Sequence, residues 1–172
     1  FMGHVGFPED QGRCDWAIAW PSDGEGFVHS YCNTVPTPEG GTHEAGLRSG
    51  LTRSLKAYGE LIGNRKVAQV TTEDIMGGAC VLLSVFIRDP QFQGQTKEKL
   101  ASVEAQKLVD ATIKDHFDHW LTADPDMARD LLDRVIEIAE ERLRRKEQKE
   151  LTRKTATRKL RFCRVQAAAR RV

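Results

Sequence analysis

The sequence lacks the features that would place a chain in a membrane or on the secretory pathway. Only 40% of its residues are apolar, and no window reaches the roughly 18 uninterrupted apolar residues that a spanning helix requires. The stretch FMGHVGFPEDQGRCDW has no positive region followed by an apolar one, so we expect no secretory signal. Because the chain begins with Phe1 rather than Met, we expect it to be cut from something longer.

Cysteine is also scarce. The four cysteines are widely spaced and never occur as CxxC, so their spacing predicts no disulfide framework. Cys32 and Cys80 fall in apparent strands, where a reduced cysteine behaves as a small apolar residue. We therefore expect reduced thiols and a cytoplasmic protein, with a disulfide pair as the alternative. No internal repeat is present, and 172 residues suffice for one domain, or for one domain and part of the next.

The net charge of +1 hides an asymmetry. From Glu140 onward there are thirteen lysines and arginines against four glutamates, a net +9 that leaves −8 for the preceding residues. We call residues 140–172 the basic arm. Such a segment on an acidic body favours a polyanionic partner near the end of the chain. The alternative is a solvated helix face that simply ends in arginines.

The first half of the sequence predicts two strands and a helix. Residues 1–12 are rich in glycine and read as irregular. Asp15–Trp20 and Phe27–Asn33 read as strands that complete a hairpin across a turn at 22–26. A helix with apolar residues at helical spacing follows, with Thr42 as its N-cap, and ends near Gly63.

The second half predicts one more strand and mostly helices. A capping box at residues 71–74 opens a short helix or turn. The run 79–87 has no polar alternation, which predicts a strand buried on both faces. Ser102 caps the next helix, and Asp124-Pro125 begins another that continues to about Leu160. The order predicts a two-layer α/β sandwich, with one sheet and helices against it, followed by a long C-terminal helix.

The loop QFQGQTKEKL, residues 91–100, is the first candidate site. A P-loop needs glycine, four residues, then Gly-Lys-Ser/Thr before a helix. Here Lys97 follows Thr96 and no glycine stands at the required upstream position, so the P-loop interpretation fails. What remains is a mobile cation suited to a terminal phosphate, next to the amide of Gln95. The alternative is an exposed polar loop without function.

Other candidates are weaker. The stretch EGGTHEAG, residues 39–46, has glycines before a helix N-terminus, which can form an anion site but more often just turn the chain, and Glu44 would repel an anion. His43 is better explained as a packed or hydrogen-bonded residue than as a catalyst. His116 and His119 are spaced to share a metal on a helix, but no third ligand is suitably placed in the sequence, so we predict no metal site.

The basic arm is the only credible nucleic-acid element. Its cations spread around several faces of a helix, a pattern that suits non-specific phosphate contact rather than base reading. The aromatic residues are better explained by core packing than by base stacking. The candidate DNA-binding residues are Arg144, Arg145, Lys149, Arg153, Lys154 and Arg158.

Three segments carry a resemblance to a known family: SYCNTVPTPEGGTHEAGLRSGL, DIMGGACVLLSVFIRDPQFQGQTKEKL and the basic helix ending in RKTATRKL. Together, over about residues 14–160, they resemble the B subunit of bacterial type IIA DNA topoisomerases. DWAIAW and GGTHEAGLR are closer to the topoisomerase IV type than to the gyrase type. The corresponding family region is the transducer, a ribosomal-protein-like α/β domain that follows the ATP-binding domain.

The resemblance implies a role for the candidate loop. In the family, the lysine of the QTK motif reaches into the ATP site of the neighbouring domain and contacts the γ-phosphate. Carried over, Lys97 is the catalytic cation and phosphate sensor, and Gln95 joins it in binding the nucleotide. ATP and Mg²⁺ would serve the intact enzyme, and this chain alone would hold neither. The implied partners are DNA, the topoisomerase A subunit and a second B subunit, with no membrane.

The resemblance also implies a domain plan. Residues 1–13 would be a linker remnant from a missing ATPase domain, 14–122 the transducer, and 123–161 a helical extension towards a missing TOPRIM domain. The tail 162–172 departs from the family pattern and is expected to be non-native. Such a chain would be a monomer in the bacterial cytoplasm, near the nucleoid, and would neither hydrolyse ATP nor cleave DNA by itself. The alternatives are a gyrase-type transducer and a non-enzymatic nucleic-acid-binding adaptor.

Overall fold

The computed structural model describes residues 1–22 and 25–169, with side chains described through Lys154. Two units are distinguished, residues 1–136 and 137–172. The predicted α/β sandwich and the long final helix are confirmed, and the predicted turn at 22–26 lies partly outside the described residues. The elements are β1 (Met2–Gly6), β2 (Gly12–Ala19), β3 (Phe27–Cys32), β4 (Val35–Pro36), α1 (Thr42–Leu61), α2 (Thr72–Met76), β5 (Cys80–Ile87), β6 (Phe92–Gln93), β7 (Lys99–Leu100), α3 (Val103–Ala123) and α4 (Pro125–Ala169).

The main sheet has the strand order β1-β2-β5-β3-β4. β5 lies at its centre, antiparallel to β2 and parallel to β3. The predicted β2–β3 hairpin is therefore wrong, because β5 separates the two strands. The physical reason is that β5 is the most apolar strand, and a central position pairs both of its backbone edges while burying the side chains on one of its faces.

Burial along β5 alternates, so only one face of the sheet is covered. Val81, Leu83 and Val85 are buried, whereas Leu82 is 47% exposed. The prediction of a strand buried on both faces is wrong for this reason. α3 lies on the covered side, where His116 contacts the ring of Trp16 with 5.3 Å between ring centroids.

α1 and α3 pack closely through small residues. A Cβ added at Gly46 would lie 2.5 Å from the carbonyl oxygen of Gln106, so only glycine permits this approach. Ser54 Oγ donates to the carbonyl of Lys114 at 3.2 Å. Both helices bury their apolar stripes, and each fully buried leucine or phenylalanine contributes about 1.5–3 kcal/mol. The fully buried set includes Leu47, Leu51, Leu55, Val109, Ile113, Phe117 and Leu121.

The N-terminal residues form a strand where the glycine-rich pattern predicts irregular chain. β1 pairs antiparallel with β2 at the edge of the sheet. A Cβ at Gly3 would lie 2.2 Å from the indole ring of Trp16. The glycine therefore makes room for a buried tryptophan rather than breaking the strand.

The helix caps agree only in part with the sequence. The capping box of Thr71 and Asp74 is confirmed. The predicted N-cap Thr42 is wrong, because Gly41 is the N-cap of α1 and Thr42 is its first residue. Ser102 stands at the N-cap of α3, but it makes no capping bond; its hydroxyl instead accepts from the backbone of Gln91.

The buried cysteines are free thiols on the covered face of the sheet. Cys14 and Cys32 both lie opposite Val85, on its two neighbouring strands. Burial raises the pKa of Cys14 to about 12 and that of Cys32 to about 11. Both thiols therefore act as apolar packing groups. Within the described residues, no helix combines the length and the apolar character needed to cross a membrane.

Candidate functional site

The QTK motif lies at the tip of a short hairpin. β6 and β7 pair antiparallel, with Phe92 opposite Leu100, and the five residues between the strands are exposed. The backbone N–H of Gln91 donates to Ser102 Oγ at 2.8 Å and ties the base of the hairpin to the start of α3. We call residues 91–101 the QTK hairpin.

Lys97 presents an exposed ammonium group. Within the described part of the chain, no carboxylate lies within ion-pair distance of its Nζ. The neighbouring carboxylate of Glu98 instead accepts a hydrogen bond from Thr96 Oγ1 at 3.0 Å. Lys97 Nζ lies 5.9 Å from the centroid of the Phe92 ring, at the outer limit of a cation–π contact. The cation is therefore available to a ligand.

The backbone of the tip is unusual as well. Lys97 has φ +57° and Gly94 has φ +80°. A left-handed conformation is uncommon for lysine. Residues in such strained conformations occur preferentially at functional sites, and the surrounding structure must hold them in place. Gln95 lies between these two residues, exposed like Lys97. The tip therefore presents an amide and an ammonium group to solvent.

A second motif holds this hairpin in place. We call residues 39–41 the glycine turn. The N–H of Glu39 donates to the carbonyl of Glu98, and the N–H of Leu100 donates to the carbonyl of Gly40, both at 3.0 Å. Gly41 also forms an isolated parallel bridge with Leu100. The structure thus brings together the two motifs that the sequence keeps more than fifty positions apart.

Behind the glycine turn lies a chain of hydrogen-bonded polar side chains. His43 Nε2 and Thr37 Oγ1 are 3.1 Å apart, and Thr37 Oγ1 and Ser30 Oγ are 2.7 Å apart. Ser30 Oγ donates to Glu44 Oε1 at 2.7 Å. His43, Thr37 and Ser30 are buried. We call these four residues the buried relay; His43 is confirmed as a packed, hydrogen-bonded residue.

The direction of the hydrogen bonds in the buried relay determines the protonation state and the tautomer of His43. The carboxylate of Glu44 can only accept, so Ser30 donates to it, Thr37 donates to Ser30, and His43 Nε2–H donates to Thr37. The neutral ring then leaves Nδ1 as a lone pair, and that atom has no hydrogen-bond partner. Burial lowers the pKa of His43 to about 4. His43 is therefore neutral near pH 7 and serves a structural role.

The candidate DNA-binding residues belong to the second unit. The side chains of Arg144, Arg145, Lys149, Arg153 and Lys154 are exposed along α4, in the second unit. Arg145 forms an ion pair with Glu141, one helical turn away. The side chain of Arg158 lies outside the described residues, and so do residues 170–172 of the predicted tail 162–172.

The histidine pair shows no metal-binding arrangement. Within the described residues, no group of three or more His, Cys, Asp and Glu side chains could hold a metal ion. His116 contacts Trp16, and Thr122 Oγ1 donates to the carbonyl of His119 at 2.9 Å. The predicted aromatic packing is confirmed for Trp16 and Phe117, which are buried.

Sequence reasoning missed Ser30 and Thr37, and it took Gly41 only as part of a possible anion site or a turn. The alternation in β3 places Ser30 on the covered face beside Cys32, but a serine in a strand reads equally well as solvent-facing. The glycine pair stands out in the sequence, yet its contact with the QTK hairpin depends on how α1 and the hairpin pack. Two adjacent glycines directly before a helix are the only local signal in the sequence.

Comparison with known families gives a consistent result. The family model for DNA gyrase B matches residues 2–151. The B subunit of DNA topoisomerase 4 from Bartonella bacilliformis is 55% identical over 162 residues, which cover 94% of this chain and 23% of that protein. The Caulobacter vibrioides protein of the same name is 52% identical over 166 residues, or 94% and 24% of the two chains. The chain thus spans about a quarter of the length of these relatives.

Solved structures agree. The topoisomerase IV ATP-binding domain of Francisella tularensis superposes with a TM-score of 0.73 at 32% identity, covering 83% of this chain and 40% of that one. The 43K ATPase domain of Thermus thermophilus gyrase B gives 0.77 at 24% identity, covering 88% and 40%, which is a likeness of fold. The family model matches residues 2–151, and the two relatives are more than half identical to this chain. The chain therefore belongs to the DNA gyrase B family, the B subunits of type IIA DNA topoisomerases.

Proposed function

We propose that this chain is the transducer of a topoisomerase IV type B subunit and that Lys97 is its sensor of the ATP γ-phosphate. One observation carries the proposal: an ammonium group without an ionic partner among the described residues stands on a left-handed residue at the tip of a braced hairpin. Such a group is suited to a phosphate supplied from outside the domain. The domain plan of residues 14–122 and 123–161 is part of this proposal.

The described residues could form only part of a nucleotide-binding site. Lys97 and Gln95 could donate to phosphate oxygens, whereas no acidic cluster of the described residues could hold Mg²⁺. Bound ATP and Mg²⁺ would supply the scissile phosphoanhydride and neutralise part of its charge. The chain alone is therefore proposed to hydrolyse little ATP, because it contributes the sensor and not the pocket.

The proposed role of Lys97 follows from electrostatics. A cation fixed where negative charge develops lowers the barrier of phosphoryl transfer. Gln95 would orient a phosphate oxygen or the attacking water through its amide. Because Lys97 belongs to a different domain from the nucleotide pocket, its contact would hold two domains together and release them after phosphate loss, which is a closure switch. Closure would couple ATP turnover to DNA strand passage, with the A subunit and a second B subunit.

The test is a chimeric subunit. The matched segment of the Bartonella bacilliformis topoisomerase protein is replaced by this chain, and the product is assembled with its own A subunit. We expect ATP-dependent decatenation of linked DNA circles. ATP-dependent negative supercoiling instead would favour the gyrase type, and a chimera that binds DNA but neither hydrolyses ATP nor passes strands would favour the adaptor alternative.

The basic arm supports DNA as a partner. The side chains of Arg144, Lys149 and Lys154 are exposed on α4, and Lys and Arg on a helix contribute to affinity mainly by releasing counterions from DNA phosphates. We propose that the arm contacts duplex DNA without reading its sequence. Arg145 contributes less than its neighbours because Glu141 already pairs with it.

Removing three of these charges should weaken DNA binding and its salt dependence. In this chain, the variant that combines Arg144→Gln, Lys149→Gln and Lys154→Gln should show a shallower fall of log affinity with log salt. The magnitude of the slope should decrease by about 2 to 3. Fluorescence anisotropy with a short duplex over a salt series measures it. A matched variant replaces the exposed Arg65, Lys107 and Arg129 with Gln. Equal losses in both variants would show an effect of net charge and contradict the proposal.

A further inference from the structure

We infer that the glycine turn, residues 39–41, positions Lys97, and that Gly41 is a positioning residue for the phosphate contact. The inference rests on the proposed role of Lys97. It assigns to the Gly-Gly pair a task in the ATP cycle: the turn fixes the backbone immediately after the lysine, so that the ammonium group is presented at a defined place.

The hairpin cannot define that place by itself. Each of its strands has two residues, and an isolated hairpin of this size is not stable in water. The tip therefore depends on external contacts. Glu98, the residue after Lys97, has its carbonyl held by the N–H of Glu39, and Leu100 donates to Gly40. The constraint thus begins one residue beyond the lysine.

Gly41 makes this contact possible because it has no side chain. A Cβ built there would lie 2.2 Å from the carbonyl oxygen and 2.6 Å from the amide nitrogen of Leu100. Both atoms are backbone, so no rotamer change relieves the clash. Its φ of +137° is also disfavoured for any other residue. Gly40 also has a positive φ, +67°, but the nearest atoms to a Cβ built there belong to the side-chain carboxylate of Glu44, at 2.7 Å, rather than to backbone.

The glycine turn is itself anchored to α1, which packs against α3. The N–H of Ala45 donates to the carbonyl of Gly41 at 3.1 Å, in the first turn of α1. α1 is locked against α3 through Gly46, and the buried relay links residues on both sides of the turn. A force on Lys97 would therefore pass through the hairpin base to α1, and the position of α1 would set that of the lysine.

The first test measures the hairpin directly in this chain. Gly41→Ala should push Leu100 away and break its hydrogen bond to Gly40. Hydrogen–deuterium exchange of the Leu100 amide should speed up by about tenfold or more, while amides of α3 keep their protection. The control is Gly63→Ala, which has φ +74° and open space around the added methyl. Unchanged protection at Leu100 in Gly41→Ala would overturn the inference.

The second test asks whether Gly41 acts through Lys97. In the chimeric subunit, Gly41→Ala should lower kcat for ATP hydrolysis by about tenfold, because a displacement of about 1 Å is costly to a positioned group. In a chimera that already carries Lys97→Ala, the same change should alter kcat by less than about twofold. A loss of equal factor in both backgrounds would mean general damage and contradict the inference. An inactive parent chimera would count against the proposed function instead.

A third variant covers the case in which Gly41→Ala fails to fold. Glu39 and Glu98 are both exposed and joined by a backbone hydrogen bond of 3.0 Å, so a pair of cysteines at these positions is the cross-link to test between the turn and the hairpin. The oxidised and reduced forms of this double variant should turn over ATP at the same rate in the chimera, since the junction is proposed to stay closed during the cycle. Loss of turnover on oxidation, reversed by reduction and absent from the single variant Glu98→Cys, would show that the hairpin must leave the turn and would overturn the inference.

Discussion

Replacing Lys97 with alanine is expected to lower kcat for ATP hydrolysis by the chimeric protein about 10²–10³-fold, with a smaller effect on KM. The reason is that a cation aimed at developing negative charge stabilises the transition state more than the bound substrate. In this chain, Lys97 has no carboxylate partner among the described residues that would compete for it. Steady-state ATP turnover over a range of ATP concentrations separates kcat from KM.

A matched control lies two residues away. Lys99 is exposed on β7, opposite Gln93, and Lys99→Ala removes the same charge from the same hairpin. We expect turnover within about twofold of the parent for that variant, because screened exposed charges act weakly at a distance. Equal loss in both variants would indicate a general electrostatic effect, and unchanged turnover in Lys97→Ala would remove Lys97 from the mechanism.

A conservative variant refines the result. Lys97→Arg keeps the positive charge but replaces a compact ammonium with a planar guanidinium group. If charge alone matters, Lys97→Arg should retain most of the turnover that alanine loses. If the left-handed tip fixes one contact geometry, as φ +57° indicates, the arginine variant should recover only part of it.

Local patterns in the sequence predicted most helices and strands, but they did not predict which strands lie side by side in the sheet. The periodicity of α1, the capping box at Thr71 and the helix start at Pro125 involve residues within a few positions, so short-range physical rules suffice. The insertion of β5 between β2 and β3 is a long-range choice. It follows from the burial needs of the whole sheet, and alternation in any one strand does not encode it.

The candidate site divides in the same way. Gln95 and Lys97 stand out locally because an amide and a cation flank a threonine in a loop. The structure places both at an exposed tip, and their binding role stays a prediction. The contact between Gly41 and Leu100 could not be predicted, since it depends on how α1 packs on α3. Nor could the burial of Ser30, since a serine hydroxyl is expected in water until a partner such as Glu44 is known.

Acidification is expected to destabilise this chain through His43. The ring is fully buried, and burial lowers its pKa from 6.5 to about 4. Between these two values the unfolded chain binds a proton at this position and the folded chain does not. The free energy of unfolding therefore falls as the pH falls, by about 1.4 kcal/mol per pH unit. His43 therefore costs no free energy of unfolding above pH 6.5. By about pH 4 its loss has reached a total of about 3 kcal/mol.

The variant His43→Gln isolates this contribution from that of the carboxylates, which also titrate in acid. Glutamine can place an amide N–H near Thr37 Oγ1 in the position of Nε2–H, but it does not ionise. Urea unfolding of both proteins at several pH values between about 4 and 7.5 gives the difference in free energy of unfolding. That difference should move in favour of the glutamine variant as the pH falls. Parallel curves would mean that His43 takes up a proton in the folded state without cost, and the one-way relay from His43 to Glu44 would then be wrong.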